Sequence, residues 1–345
     1  ELENLHNQLI LENTKKVDII APLAKAEFVA EDDKNYLIIQ EGRVLPSEYH
    51  DYGLSDLRDR IFELNSHSLQ QLCSKIGVPM SYAGKCEAGV REFNIRHWLE
   101  KADGNSMFRC MVDGRDSRLR GIMSERYSPV DDSFIVDNLN RAIENSNLSN
   151  PLVTKTYTGE DMLRLQVTDG KKAVVGDTTL GFFVGNSEVG LSRIYIEMGL
   201  YTFTCTNGLR VPAFSMEFNR KHIGNISYNM ISDNFQTQIG NIMNNFNHMR
   251  GYMRIANQIT MKRHVFNKYI EESKNFSLSF KDSMKSRIHQ LPAQGVLWNY
   301  VSEMTEEAHK YKELERMEIE KQAGLYMEQV VKKEVKKGRY ELATV

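Results

Sequence analysis

A change in hydrophobic period along the chain constrains the fold more than any other feature. Residues 106–124 alternate apolar and polar side chains on either side of VDGRD, which is typical of a hairpin turn. A second alternating stretch, 152–168, turns near Thr158-Gly159, and helical spacing begins at Tyr228. We therefore predict an α+β fold: a central antiparallel sheet with an inserted helix, followed by long basic helices and a C-terminal amphipathic helix.

Helical spacing marks several segments of this fold. Residues 54–76 predict a helix or a helical pair, and residues 81–101 predict another helix. The inserted helix covers 132–146, with Asp132 or Ser133 as its cap. From Val296 to Tyr340, apolar residues recur at steps of three and four, which predicts a helix packed on its own domain or on a second copy.

We divide the chain into three parts. Residues 1–50 are an N-terminal arm, residues 51–290 are the α+β core, and residues 291–345 are the C-terminal helix. The core contains a basic segment at 198–270.

An Asn-Gly pair at Asn207 and Gly208 predicts a type I′ hairpin turn, because both central residues of that turn need positive φ. This register would place Cys205 opposite Arg210. Strand alternation would then put Tyr201, Phe203, Cys205 and Arg210 on one side of the sheet.

Charge is segregated along the chain. The net charge of the 345 residues is −2, but the window from Met198 to Ile270 has two acids and eight bases. That window therefore carries +6 and the remainder −8. Segregated charge of this kind produces an electrostatic field that attracts anionic partners to one region of the protein.

Several function classes are disfavoured. No apolar run is long enough for a membrane helix, and the charged N-terminus does not resemble a signal peptide. The four cysteines lack metal-ligand spacing, and the common phosphate-loop, dinucleotide and hydrolase motifs do not occur. Cys205 has no His or Asp nearby in sequence to act as a base, so it is interpreted as a packing residue. The acidic pairs Asp131-Asp132 and Glu160-Asp161 are interpreted as solvated or capping turn residues. We expect no catalytic residue, metal or cofactor.

The acid-free run between Asp233 and Glu271 spans 37 residues and carries five bases. Cations bind a phosphate backbone, and flat aromatic or guanidinium groups stack on unpaired bases. The candidate phosphate contacts are Arg210, Arg220, Lys221, Arg250, Arg254, Lys262 and Arg263, with Arg118, Arg120 and Arg126 as further candidates. The candidate stacking residues are Tyr201, Phe203 and Tyr252.

Three short motifs carry a family resemblance. NSEVG at 186–190, CTNG at 205–208 and SERY at 124–127, with RKH at 220–222, resemble a phage- and plasmid-like family of unknown function. The likeness covers roughly residues 54–270. The family suggests the DNA metabolism of mobile elements. Its outline of a sheet followed by basic helices is similar, at the level of fold alone, to phage single-strand annealing proteins.

We therefore expect a phage or mobile-element protein that binds and anneals single-stranded DNA as an oligomer, without ATP and without enzymatic activity. Its expected location is the cytoplasm of a bacterial host, its expected partners are single-stranded DNA and further copies of itself, and no membrane is involved. The sequence names no partner nuclease or single-strand-binding protein. One alternative is a phage structural or assembly protein whose basic segment binds a protein partner. Another is an enzyme that uses Cys205 or dispersed carboxylates.

Overall fold

The computed structural model shows a mixed α+β protein. It describes residues 1–57, 60–114, 116–146, 148, 150–175, 178–202, 208–210, 218–224, 226–240 and 251–341. Helices and two large sheets alternate along the chain, as the change in hydrophobic period predicts.

The helices in the first two thirds of the chain are mostly short. They are α1 (Leu2–Asn13), α2 (Leu54–Leu57), α3 (Ser66–Lys75), α4 (Met80–Ala83), α5 (Ala88–Leu99), α6 (Asp132–Glu144) and α7 (Tyr228–Gly240).

The last third is mainly helical, including residues 251–256. It contains α8 (Arg263–Glu272), α9 (Leu278–Gln290), α10 (Leu297–Ala308) and α11 (Glu313–Lys336). No helix among the described residues combines the length and the apolar character needed to cross a bilayer.

The first sheet has seven strands in the order β2-β3-β5-β7-β6-β1-β4. Their bounds are β1 (Lys16–Pro22), β2 (Ala26–Glu31), β3 (Lys34–Ile39), β4 (Arg43–Val44), β5 (Ile61–Leu64), β6 (Asn105–Asp113) and β7 (Asp116–Ser124). All neighbours pair antiparallel except β5 and β7, which are parallel. Leu72 of α3 and Ile95 of α5 belong to the same buried cluster as Phe62 and Phe108 of the strands, so these helices cover one face of the sheet.

The second sheet follows the order β12-β11-β10-β9-β8, and β13 also pairs with β11. Its strands are β8 (Pro151–Thr158), β9 (Leu163–Val175), β10 (Thr178–Asn186), β11 (Ile194–Thr202), β12 (Gly208–Arg210) and β13 (Phe218–Arg220). One large apolar cluster joins this sheet to α6, α7 and the C-terminal helices. Within the C-terminal region, β14 (Thr260–Lys262) pairs with β15 (Gln294–Val296).

Local predictions are confirmed where turn chemistry and alternation agree. Asp113 pairs with Asp116 across the first predicted hairpin, and Thr158 pairs with Leu163 across the second. The inserted helix is present as α6, but its N-cap is Asp131 rather than Asp132 or Ser133. Helical structure also begins at Tyr228, as predicted.

Four predictions about larger elements differ from the structure. Residues 61–64, predicted as helix, form β5, because the spacing of Leu57, Ile61 and Leu64 suits either period. The sheet predicted to be single is two sheets. The predicted C-terminal helix is two helices, α10 and α11, separated by residues 309–312. Residues 1–50, described above as an arm, contribute α1 and four strands of the first sheet.

The predicted register of the Asn-Gly hairpin is also wrong. Tyr201 pairs with Gly208 and Gly199 pairs with Arg210, so six residues, 202–207, connect the paired positions. Eight pairs with β10 hold β11 in place, whereas β12 contributes only three pairs, so the long pairing and not the dipeptide sets the register. Cys205 is not opposite Arg210, and it lies outside the described residues.

Candidate nucleic-acid interface and the buried ionic centre beside it

Three sequence motifs meet where the two sheets approach each other. The hydroxyl of Tyr127, just after β7, donates to the carbonyl oxygen of Ser187, just after β10, at 2.9 Å. The ring of His222, after β13, stacks on Tyr127 with centroids 5.1 Å apart and planes 10° apart. The backbone N–H of Ser128 donates to the carbonyl oxygen of His222 at 3.0 Å. SERY, NSEVG and RKH therefore form one contact region, whereas residues 205–207 of CTNG lie outside the described residues.

Glu188 lies at the centre of this region, with 1% of its side chain exposed. Its Oε1 accepts from Lys16 Nζ at 2.8 Å and from the backbone N–H of Asp132 at 2.8 Å. Its Oε2 lies 2.7 Å from a guanidinium nitrogen of Arg120. Its carbonyl oxygen accepts from Arg109 Nη1 at 2.7 Å. One residue thus connects β1, β6, β7, α6 and the end of β10.

Arg109 forms the second half of this buried ionic centre, which we define as Lys16, Asp18, Arg109, Arg120, Asp131, Asp132 and Glu188. Its Nε donates to Asp18 at 2.9 Å, and its Nη2 donates to Asp131 at 3.2 Å. Burial disfavours charge on the guanidinium. Asp18 and Glu188, with Asp131, outweigh that cost and raise the pKa of Arg109 well above its ordinary value.

The pKa values of the carboxyl groups of the centre shift in opposite directions. Burial disfavours ionisation of Glu188, but Lys16, Arg120 and Arg109 hold the pKa of this carboxyl group well below its ordinary value. Burial, and then the charge of Glu188, raises the pKa of Asp132 well above its ordinary value. Ionisation is therefore favoured at Glu188 and disfavoured at Asp132. Asp132 is 5% exposed and accepts from Asn186, so its interpretation as a solvated turn residue is wrong.

The chemistry of this centre is structural. Its cations are paired with carboxylates inside the protein, and breaking such a pair leaves an uncompensated buried charge. Burial lowers the pKa of His222 to about 4, which keeps its ring neutral near pH 7. With 4% of the residue exposed, this imidazole is not accessible to a substrate. Among the described residues, no group of three His, Cys, Asp or Glu side chains is arranged to hold a metal ion.

Exposed cations lie on the outer side of the same contact region. We define the basic edge as Arg126, Arg193, Arg220 and Lys221. Arg220 is paired with Ile194 on β11, and Tyr127 is paired with Ile223, so short stretches of β-structure bring the four together. Arg126, Arg193 and Lys221 are exposed, and Arg220 is half-buried. Within the described part of the chain, none of the four forms an ion pair with a carboxylate. The nearby Glu125 accepts from Asn105.

Three of the predicted phosphate contacts, Arg126, Arg220 and Lys221, thus belong to the basic edge. A fourth, Arg210, lies on β12 opposite Gly199, on the same side of β11 as β13. Five positions of β11 separate Gly199 from Ile194, which corresponds to about 17 Å along the strand. The side chain of Arg210 is outside the described part.

The remaining predicted cations lie elsewhere. Arg254 and Lys262 are exposed, whereas Arg263 donates to the carbonyl oxygens of His289 and Leu291 at the end of α9. Arg118 is ion-paired with Glu160. Arg250 is outside the described residues.

Two placements contradict a direct contact with nucleic acid. Arg120 has 2% of its side chain exposed and pairs with Glu188, so its charge is used within the protein. Tyr252 is 6% exposed and belongs to the large apolar core, so its ring is unavailable for stacking. Of the other predicted stacking residues, Phe203 lies outside the described residues, and the side chain of Tyr201 is not described.

The sequence alone did not identify the buried ionic centre or Arg193. A signal for the centre was present, because Arg109 interrupts the apolar run MFRCMV in a strand whose interior residues are all buried. A charge inside a continuous apolar strand indicates a buried partner. Glu188 was recognised as part of a motif, but not as an ion-pair residue.

The family comparison covers most of this contact region but not Lys16, Asp18 and Arg109. A family model described as a domain of unknown function, DUF932, matches residues 120–339, which is more than half of the chain. The search of curated proteins gave no match. The search of solved structures gave none either.

Proposed function

The chain belongs to the DUF932 family, and we propose that it binds single-stranded DNA through the basic edge. One observation carries this proposal: four cations from three separate segments meet at one edge without carboxylate partners in the part of the chain that is described. Surface cations are normally balanced by nearby acids, as Lys34 and Lys268 are here. A group of cations without nearby acids attracts phosphate.

The geometry of β11 supports an extended ligand. Arg210 and Arg220 face different positions of the same strand, so their backbones are about 17 Å apart. Cations in a row of this length suit several successive phosphates of one strand.

We further propose that the protein anneals strands as an oligomer in a bacterial host cell infected by a phage or carrying a mobile element. No enzymatic step and no ATP are needed, because base pairing of complementary strands is downhill. The phage setting and the annealing activity come from the resemblance of the three motifs and of the sheet-plus-helix outline.

Fluorescence anisotropy with a labelled oligonucleotide tests the interface. Arg126→Gln, Arg220→Gln and Lys221→Gln together should weaken binding at low salt by about tenfold or more. Losing three phosphate contacts should also reduce the slope of log K against log salt by about 2.

The matched control removes three exposed cations outside the edge, with Lys25→Gln, Lys34→Gln and Lys268→Gln. Both variants lose three positive charges, so only a specific interface separates them. Equal affinity of the two variants, or no salt-dependent binding by the unmodified protein, would overturn the proposal.

A second candidate is a phage assembly protein whose basic segment binds an acidic protein surface. Leu191 and Ile223 are 46% and 58% exposed beside the edge, and apolar side chains of this kind suit a protein partner. Gel filtration separates the two, because an annealing protein should assemble further when an oligonucleotide is added.

A further inference from the structure

We propose that a cleft next to the basic edge holds one unpaired base of the bound strand, and that it favours bases with an exocyclic amino group. This inference rests on the proposed function and adds a base-binding site to it. Cytosine, adenine and guanine carry such an amino group, whereas thymine does not.

The cleft has a volume of about 370 Å³. Pockets for small molecules range from about 300 to 1,000 Å³, so this one suits a ligand the size of a base or nucleoside. Its walls come from β1, residues 45–50, Arg109, Pro129, Asp131 and the first residue of α7.

Tyr228 provides a flat apolar surface in this cleft. Its ring lies 4.3 Å from that of Phe134, centroid to centroid, and 52% of the residue is exposed. Phe134 therefore supports the ring while leaving surface available. Tyr49 and His50 also line the cleft. Aromatic rings bind unpaired bases by stacking, whatever the base.

The polar groups of the cleft select among bases. Asp18, Glu48 and Asp131 line it, and an ionised carboxylate only accepts hydrogen bonds. The nitrogen donors that line the cleft are already used within the protein. Arg109 donates through all three of its nitrogens. Lys16 donates to Asn13 and Glu188, and Asn13 donates to Ser133. The hydroxyl groups of Ser47, Tyr49 and Tyr228 both donate and accept, whereas the carboxylates only accept. This lining favours the amino group of cytosine, adenine or guanine over thymine.

The cleft and the basic edge are built from neighbouring parts of the same chain segments. Pro129 follows Ser128, whose N–H donates to His222 in the same segment as Lys221. On the other wall, Tyr228 begins the helix that follows β13 and Arg220. In this arrangement the phosphates of the bound strand lie on Arg126 and Lys221, and one base lies on Tyr228.

Tyr228→Ala tests the stacking surface without changing the buried ionic centre. The unmodified protein should bind oligo-dC more tightly than oligo-dT. Tyr228→Ala should lose at least about fivefold in affinity for oligo-dC and most of its preference over oligo-dT. Tyr228→Phe keeps the ring and should behave like the unmodified protein. Tyr228→Leu keeps apolar volume without an aromatic face, so it should show the losses expected of Tyr228→Ala. It replaces the alanine variant if that variant is unstable.

Glu48→Gln tests the selection, because it replaces an exposed carboxylate by an amide that also donates. Its preference for oligo-dC over oligo-dT should fall while its affinity for oligo-dT is kept or rises. An unchanged ratio in both Glu48→Gln and Tyr228→Ala would overturn the inference.

The two proposals fail in different ways. If the edge variant loses binding while Tyr228→Ala and Glu48→Gln bind like the unmodified protein, the interface stands and the base site is wrong. If no oligonucleotide binds at all, both are wrong. Competition with free dCMP is the last measurement. If dCMP displaces oligo-dC at the same concentration of bases, the cleft binds free nucleotides. That result would contradict a base held within a strand.

Discussion

The buried ionic centre and the basic edge lie side by side and use their cations in opposite ways. Lys16, Arg109 and Arg120 are almost fully buried and paired with carboxylates. Lys221 and Arg126 are exposed, with no carboxylate partner among the described residues. The first arrangement contributes to folding and the second is available to a ligand. Partners and burial, not the number of bases in a window, separate cations that are paired within the protein from cations that are available to a ligand.

The contact between the two regions is itself informative. His222 follows Lys221 directly, and its ring packs on Tyr127, which in turn donates to Ser187 beside Glu188. The rigid centre thus fixes the backbone on which the exposed cations are placed. A preorganised surface loses less conformational entropy on binding than a flexible one.

The largest effect is expected at Glu188. Glu188→Ala leaves Lys16 and Arg120 buried without their shared partner, which should cost about 3–5 kcal/mol of unfolding free energy. Urea denaturation measures the loss. Glu125→Ala, at an exposed acid near the edge, is the control and should change stability by less than about 0.5 kcal/mol. Equal stability of the two variants would show that the centre does not hold the sheets together.

A smaller effect, dependent on pH, is expected from His222. Its folded-state pKa is lowered to about 4, below the ordinary value of 6.5, so the unfolded chain binds more protons between these values. Stability due to this group is complete above pH 6.5 and is lost as the pH falls towards 4. Between pH 7 and pH 5 the loss should be about 2 kcal/mol.

Urea denaturation of the protein and of His222→Gln at both pH values tests this sign. Glutamine does not titrate, so the variant should lose about 2 kcal/mol less than the parent over that interval. A variant with the full pH dependence of the parent would assign the effect to other groups.

The same contrast explains what the sequence could predict. The hairpins at Asp113 and Thr158 depend on local turn residues and alternation, and both are confirmed. The register at Gly208 depends on how β11 pairs with β10, and β5 depends on a parallel partner far along the chain. Neither pairing can be deduced from the residues of β5 or of the Asn-Gly turn alone.

The candidate site follows the same rule. Arg126, Arg220 and Lys221 were predicted one by one as cations, but their meeting depends on the pairing of Tyr127 with Ile223 and of Ile194 with Arg220. Arg120 was also predicted as a phosphate contact because of its charge. Its burial and its ion pair with Glu188 exclude that contact. Sequence identifies charge, whereas only the fold identifies whether that charge is paired.

The smallest effect on stability is expected at the basic edge. Arg126→Gln, Arg220→Gln and Lys221→Gln together remove no ion pair among the described residues, so the unfolding free energy should change by less than about 1 kcal/mol. Arg220 sharpens the case, because its buried Nε has no hydrogen-bond partner among the described residues. Urea denaturation of this variant and of the Lys25, Lys34 and Lys268 control variant measures the difference in unfolding free energy. A loss approaching that of Glu188→Ala would place the edge in the folding framework, and weaker DNA binding by the variant would then no longer identify a surface that contacts phosphate.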